Sequence, residues 1–158
     1  MHERVGEFTD AVRERYGFEP PVEEFEAGTR TAEAAAESIG CRVSQIASSI
    51  VVSDGDRTAV VVTSGANRVD TARVAAHLGW EGADLADADR VKTATGWSIG
   101  GVPPFAHERD LPVLVDETLL GFDEVWAAAG TPEAVFPIDP ERLVELSGGD
   151  PAAVAEGD

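Results

Sequence analysis

Residues 45–62, with the sequence QIASSIVVSDGDRTAVVV, contain the strongest local fold signal in this chain. Two apolar runs, Ile50–Val52 and Ala59–Val62, flank an Asp54-Gly55 pair. Because Asp-Gly readily adopts the positive-φ turn that joins antiparallel strands, this stretch predicts a β-hairpin. The rest of the fold is therefore expected to assemble around an antiparallel strand pair.

Five helices are predicted around this hairpin from apolar periodicity and from residues typical of helix ends. Thr and Asp side chains accept hydrogen bonds from first-turn amides, and Gly adopts the left-handed conformation that ends a helix. The predicted helices are His2–Gly17, Thr31–Ile39 with Gly40 as the stop, Thr71–Leu78 between Asp70 and Gly79, Asp87–Thr95 followed by Gly96, and Asp139-Pro140 to Leu146.

Further strands are predicted at Val22–Glu26, Pro112–Val115, Val125–Ala128 and Ala134–Ile138. Strands and helices do not alternate as regular βαβ units, so we expect an α+β fold. Its mixed sheet is expected to be partly closed and barrel-like, surrounded by helices. Residues 1–148 are predicted to form a single domain, and residues 149–158, rich in Gly, Pro and acids, a disordered acidic tail.

The charge balance is strongly acidic: 30 acids face 12 bases, giving a net charge of −18 in 158 residues. Eleven of the bases are arginine, and Lys92 is the only lysine. This composition is typical of a halophilic protein, because molar salt screens the self-repulsion. A merely acidic mesophilic protein is the alternative. The charge argues against a DNA-binding protein that neutralises phosphates over a large surface.

The composition also bears on location and on metal chemistry. The chain has one cysteine, Cys41, and no Cys/His cluster that would predict a zinc site. The first sixteen residues are charged and lack the apolar segment of a signal peptide. No apolar run approaches the roughly 20 residues that span a bilayer. We therefore expect a cytoplasmic protein that does not act at a membrane.

The chemistry-bearing stretch is the loop Gly100–Phe105, GGVPPF. Its glycines allow the backbone to approach a ligand closely, and its prolines stiffen the turn that follows. Such a loop can present backbone N–H groups to a developing oxyanion. A plain Gly/Pro turn is the alternative, since no GxSxG, HExxH or Walker motif accompanies it.

Four segments, taken in order, resemble the YbaK/ProX family of aminoacyl-tRNA deacylases. This family is also similar to the editing domain inserted in bacterial prolyl-tRNA synthetases. The resemblance covers roughly residues 20–148. The segments are Thr31–Ala35 (TAEAA), Gln45–Val52 (QIASSIVV), Thr95–Phe105 (TGWSIGGVPPF) and Leu111–Glu117 (LPVLVDE), followed by the Val125–Gly130 strand and the Asp139–Leu146 helix.

The resemblance implies trans-editing, which is hydrolysis of the ester that joins a wrong amino acid to tRNA. The amino acid would be small, and tRNA-Pro is a candidate carrier. In the family a Gly-x-x-x-Pro loop lies beside the ester, and Gly100–Pro104 matches it. A hydroxyl of the terminal ribose is proposed to help activate water there. The implied partners are the 3′ end of mischarged tRNA and an aminoacyl-tRNA synthetase, and no metal or cofactor is implied.

One departure from the family leaves two functions open. The family usually has a lysine where this chain has Ser48, and that lysine is thought to contact the terminal phosphate or ribose. Either the charge is dispensable in molar salt, or the protein is a non-catalytic module that binds a nucleotide, a tRNA end or a synthetase. A smaller departure is Ala106, where the family commonly has glycine.

The candidate site combines these observations. Several members have a structural alternative: Thr31 and Asp116 as caps, Trp97 as a core residue, and His107 as a solvated surface group. The candidate catalytic residues are Gly100, Gly101, Pro104 and Ser48, and the candidate substrate-binding residues are Thr31, Ser49, Trp97, Val102, Phe105, His107 and Asp116.

Overall fold

The predicted hairpin is the centre of an eight-stranded mixed sheet in the computed structural model, which describes residues 3–24 and 31–156. The strands are β1 (Glu23–Glu24), β2 (Ile46–Ser53), β3 (Thr58–Ser64), β4 (Asp84–Leu85), β5 (Val113–Asp116), β6 (Val125–Ala128), β7 (Ala134–Ile138) and β8 (Asp150–Ala152). The sheet order is β1-β7-β6-β2-β3-β5-β8, and β4 pairs with β2 as a branch.

The sheet is mixed because strand directions differ on the two sides of the hairpin. β2 and β3 run antiparallel, from Ala47 opposite Ser64 to Ser53 opposite Thr58. β6 pairs parallel with β2, and β5 pairs parallel with β3. The α+β class and the mixed sheet are confirmed, and the sheet stays open rather than closing into a barrel, with β1 and β8 as its outer strands.

The helices of the described residues follow the predicted end signals closely. Thr31 Oγ1 accepts a hydrogen bond from the Ala34 amide at 3.1 Å, and Gly40 ends that helix at a φ of 87°. The Asp70, Asp87 and Asp139 carboxylates cap three other helices in the same way. The helices are α1 (Glu3–Tyr16), α2 (Ala32–Ile39), α3 (Thr71–Leu78), α4 (Ala88–Thr95) and α5 (Pro140–Ser147).

The two faces of the hairpin bury different clusters. Ala47 and Val51 of β2 face the main core, where α1 contributes Phe8. Val52 faces a second cluster, which contains Val74 of α3. Because side chains alternate along a strand, Ser48 and Ser49 point to opposite faces of β2.

The prediction of a disordered tail is wrong for residues 149–156. β8 pairs parallel with β5, and Val154 and Ala155 are buried. The reason is tertiary: β5 otherwise has an unpaired edge, and Val154 belongs to the same buried cluster as Val74. Gly149 permits this return, because a Cβ there would lie 2.8 Å from Val115 Cγ2.

The strand predicted at residues 22–26 is reduced to the two residues of β1, and residues 25–30 lie outside the described part of the chain. Among the described residues, no helix has the length and apolar character needed to cross a membrane.

Candidate active site

A gap along one edge of β2 forms an apolar cavity. β6 pairs with β2 only at Ile46 and Ala47, and β4 pairs with it only at Val52 and Ser53. On this edge, residues 48–51 therefore have no strand partner among the described residues. A cavity of about 370 Å³ occupies the gap between β6 and β4.

The walls of this cavity are mainly apolar. Among the described residues that line it, none has a side chain that ionises near neutral pH, and the polar side-chain groups are the hydroxyls of Thr31, Ser48 and Ser49 and the indole N–H of Trp126. A side-chain general base or a metal ligand is thus missing from the described walls. The apolar walls come from several elements, including Ala35 of α2, Val91 of α4, Trp126 and Ala128 of β6, and Val135 of β7.

The loop predicted to carry the chemistry borders the cavity through alternate residues. Gly100, at a φ of 88°, and Val102 line it, whereas Gly101 does not. The Gly101 amide donates to the Ser98 carbonyl at 2.9 Å. A Cβ on Gly101 would lie 2.7 Å from Thr131 Cα. Gly101 thus allows close packing of backbone on backbone, and its N–H is already used.

Two unpartnered amides of the loop belong to residues that line the cavity. The N–H groups of Gly100, Val102 and Phe105 have no hydrogen-bond partner among the described residues, and of these residues Gly100 and Val102 border the cavity. Val102 is buried, so the lack of a protein partner for its amide is unfavourable unless a ligand or water supplies an acceptor. Pro103 and Pro104 have no N–H, so Gly100 and Val102 supply the unpartnered amides of the loop residues that line the cavity.

The far side of the loop is anchored in the core. Phe105 packs against Phe8, Tyr16 and Phe136. His107 is buried, and its Nε2 lies 2.8 Å from the Pro103 carbonyl oxygen. Because a carbonyl only accepts, this nitrogen carries a proton. Burial lowers the pKa of His107 despite this hydrogen bond, and the nearby charge of Arg15 lowers it further.

Six of the eleven sequence-predicted site residues do not line the cavity. Trp97 is a core residue, since its Nε1 donates to the Ala106 carbonyl and its ring packs edge-on against Phe8. The surface-group alternative for His107 is wrong because the side chain is buried. The residues that line the cavity are Thr31, Ser48, Ser49, Gly100 and Val102, and those that do not are Gly101, Pro104, Trp97, Phe105, His107 and Asp116.

Asp116 lies on the other side of the hairpin, at the end of β5. Its buried carboxylate accepts hydrogen bonds from Asn67 Nδ2 and from the Ser64 and Thr118 amides, among others. Burial alone would raise the pKa of Asp116, but these donors outweigh it and hold the pKa below its usual value. The carboxylate thus joins β3 to the turn after β5, in the manner of a cap.

The chain that carries this site is similar to known proteins in sequence and in fold. The family model for the aminoacyl-tRNA editing domain matches residues 26–146. The chain belongs to this family. This editing domain is 34% identical over 130 residues to the uncharacterized protein YwhH of Bacillus subtilis (strain 168), and the match covers 82% of both chains.

Solved structures agree with this assignment. The editing domain superposes with a TM-score of 0.93, at 37% identity, on the crystal structure of a candidate trans-editing enzyme for prolyl-tRNA synthetase. That match covers 99% of both chains. The crystal structure of the hypothetical protein APE2540 superposes with a TM-score of 0.82 at 30% identity, covering 98% of this chain and 100% of the other.

Several residues that line the cavity of the editing domain are not among the site residues predicted from the sequence. Leu85 and Ile99 are large apolar residues that stay 64% and 58% exposed at the rim of the cavity. Ile99 falls inside a segment that carries the family resemblance, so its position could have been suspected. Leu85 lies in a two-residue strand that no periodicity reveals, and Trp126 faces the cavity only because of the β2–β6 register.

Ser49 carries the one buried hydroxyl of the described cavity wall without a partner. Its Oγ is inaccessible to solvent and makes no hydrogen bond. An unpaired buried hydroxyl costs stability. The cavity thus presents the Gly100 and Val102 residues from one wall, and the Ser49 hydroxyl lies just beneath another wall, where a small shift of that wall would bring it into contact with a ligand.

Proposed function

We propose that this editing domain hydrolyses, in trans, the ester between a small amino acid and the 3′ end of a mischarged tRNA. The observation that carries the proposal is the pair of unsatisfied amides, Gly100 and Val102, beside an apolar cavity in a member of this family. Paired N–H donors are what a developing ester oxyanion requires. The similar candidate trans-editing enzyme for prolyl-tRNA synthetase favours tRNA-Pro as the carrier.

The mechanism follows from what the described walls contain. Water attacks the ester carbonyl carbon, and the carbonyl oxygen becomes an oxyanion that accepts hydrogen bonds from the Gly100 and Val102 amides. The bond to the ribose oxygen breaks, and that oxygen takes the proton that water loses. The products are the free amino acid and an uncharged tRNA. Each oxyanion donor of this kind contributes about 3 kcal/mol to transition-state stabilisation in other enzymes.

The general base is expected to come from the substrate. None of the described residues that line the cavity can accept a proton near neutral pH. A neighbouring ribose hydroxyl, as the family resemblance implies, can position the attacking water. The apolar walls then select the aminoacyl group, since each methylene that fits or fails to fit is worth about 1–3 kcal/mol.

A deacylation screen tests the proposal directly. Mischarged tRNAs carrying small amino acids, on tRNA-Pro and on a second tRNA, are incubated with the protein in molar KCl. We expect hydrolysis of at least one small amino acid, and a large loss of rate when the free hydroxyl of the terminal ribose is replaced by hydrogen. Hydrolysis of none of them by folded protein would contradict the proposal.

A matched pair of variants locates the activity in the cavity. Ala35 is buried in the wall, and Ala34 of the same helix does not line the cavity. Ala35→Leu fills the cavity and is expected to lower the rate at least tenfold, whereas Ala34→Leu leaves the rate within about twofold. Equal rates for the two variants, both folded by circular dichroism, would place the reaction elsewhere.

The second candidate is a non-catalytic module that binds a tRNA end. Ser48 favours it, because the family lysine is missing and none of the described wall residues supplies a cation. Ser48→Lys separates the candidates. For an enzyme, RNA affinity and single-turnover hydrolysis rise together, because the loop donors are already present. For a binding module, affinity rises and hydrolysis stays at background.

A further inference from the structure

A second cavity of about 390 Å³ adjoins the first on the opposite face of β2. We call it the outer cavity; the residues that belong to it alone are 63–65, 67–69 and 156. The two cavities share Ala32, Ser48, Ile50 and Leu85 as wall residues. A ligand chain that leaves the first cavity past Ser48 therefore enters the outer cavity.

The outer cavity contains an arginine whose side chain is uncommitted. Most described arginines are engaged, as in the salt bridges Arg57–Asp54 and Arg73–Asp70. For the guanidinium of Arg68, no hydrogen bond, ion pair or ring contact is found among the described residues. Arg109 is the other described arginine of this kind, and it lies outside both cavities.

A guanidinium without an acidic partner is unexpected in a chain with 30 acidic residues and a net charge of −18. The overall field repels a polyanion, so binding one requires a local cation. Ser48, where the family resemblance places a lysine, lies at the junction of the two cavities. Arg68 supplies a positive charge one cavity further along, with the fork of donors that suits a phosphate.

We propose that the outer cavity binds the phosphodiester that precedes the terminal nucleoside of the RNA 3′ end, with Arg68 as its cation. The proposed function seats the aminoacyl ester in the first cavity, and the path of the RNA past Ser48 into the outer cavity rests on that proposal. Glu156 is the acidic residue among the described walls of the outer cavity, and its carboxylate opposes the phosphate. The Asp116 carboxylate lies behind this wall and is compensated by its four donor residues.

The test compares two ligands that differ by one phosphodiester. Adenosine and the dinucleotide cytidylyl-(3′→5′)-adenosine are titrated by NMR at the lowest KCl concentration that keeps the protein folded. We expect Arg68→Ala to weaken dinucleotide binding about five- to tenfold and to leave adenosine binding within twofold. Arg109→Ala makes the same change in net charge outside both cavities. The affinities of this variant for adenosine and for the dinucleotide are both expected to stay within twofold of the wild-type values.

Two further measurements test whether the contact between Arg68 and the phosphate is electrostatic. Glu156→Gln is expected to tighten dinucleotide binding a few-fold, opposite to Arg68→Ala. The second measurement uses a longer single-stranded RNA. The slope of its log binding constant against log salt concentration is expected to shrink by roughly 0.7 in Arg68→Ala. An unchanged dinucleotide affinity in Arg68→Ala, an equal loss for adenosine, or an equal effect of Arg109→Ala would each overturn the phosphate site.

The two proposals fail separately. Arg68-dependent dinucleotide binding without hydrolysis of any mischarged tRNA would refute the deacylase and keep the phosphate site. Hydrolysis with a dinucleotide affinity that does not depend on Arg68 would keep the deacylase and refute the phosphate site.

Discussion

At the scale of single residues, the Ser49 hydroxyl links stability to ligand binding. Its Oγ is buried in the cavity wall without a hydrogen-bond partner. Ser49→Ala removes an unsatisfied polar group, so we expect the free energy of unfolding to stay constant or to rise by up to about 1 kcal/mol. Affinity for the RNA end, or the deacylation rate, is expected to fall, as measured by titration and single-turnover kinetics.

Ser53→Ala is the matched control on the same strand. The Ser53 hydroxyl accepts a hydrogen bond from the Gly55 amide at 3.0 Å, and Ser53 does not line the cavity that Ser49 borders. Its loss is expected to lower the free energy of unfolding by about 1 kcal/mol and to leave activity unchanged. A destabilised Ser49→Ala protein would show that Ser49 makes a protein contact instead.

His107 adds a pH dependence to the anchoring of the loop. Burial lowers the pKa of His107, so the unfolded chain binds this proton more readily than the folded one. The resulting stability is fully present above the unfolded pKa of about 6.5 and is lost as pH falls. His107→Gln cannot titrate but keeps a donor for the Pro103 carbonyl.

We therefore expect the stability advantage of the wild type over His107→Gln to shrink between pH 7.5 and pH 5. Urea unfolding at several pH values measures this difference, and the other titrating groups largely cancel because both proteins contain them. A difference that stays constant or grows on acidification would contradict the assigned role of His107.

At the scale of elements, β8 shows how a segment with loop-like composition becomes part of the sheet. It covers the edge of β5, and Val154 follows it into the cluster that contains Val74 and Leu114. Val154→Ala deletes two buried methyl groups, so we expect a loss of about 2 kcal/mol in the free energy of unfolding. Denaturant titration is the measurement.

Leu85→Ala in β4 is the control for this prediction. Leu85 is 64% exposed and belongs to the walls of both cavities. Its truncation is expected to change stability by less than about 0.5 kcal/mol while weakening binding of the RNA end. If Val154→Ala were as mild as Leu85→Ala, the C-terminal segment would not be part of the cooperative fold.

At the scale of the whole molecule, the net charge of −18 predicts a dependence of stability on salt. Ion screening shortens from about 10 Å at 0.1 M to about 3 Å at 1 M, so self-repulsion weakens in concentrated KCl. We expect the melting temperature to rise steadily with KCl. A flat or falling melting temperature would contradict the halophilic interpretation.

A charge-reduced variant tests the electrostatic origin of this effect. Asp56, Glu81 and Asp84 are exposed around one surface depression near the hairpin turn. Replacing them by Asn, Gln and Asn removes three negative charges, so the salt-induced rise in melting temperature is expected to become smaller. An unchanged rise would point to a salt effect that does not depend on these charges.

The sequence by itself determined the features whose hydrogen bonds close within a few residues. The Asp54-Gly55 hairpin, the Thr31 and Asp70 caps and the bounds of α3 were all predicted and confirmed. Each depends on a side chain and an amide two or three positions apart, so local chemistry suffices. The ordered motifs also sufficed to identify the family.

The tertiary structure decided the features whose partners lie far along the chain. The cavity exists because β6 and β4 pair with different ends of β2, and no local pattern encodes that gap. Gly101 looks like a catalytic glycine in sequence, but its amide donates to Ser98 and its Cα packs on Thr131. β8 is ordered because it covers the edge of a strand 34 residues or more earlier in the chain. Such pairings depend on which backbone edges remain open after folding, and that is a property of the assembled sheet.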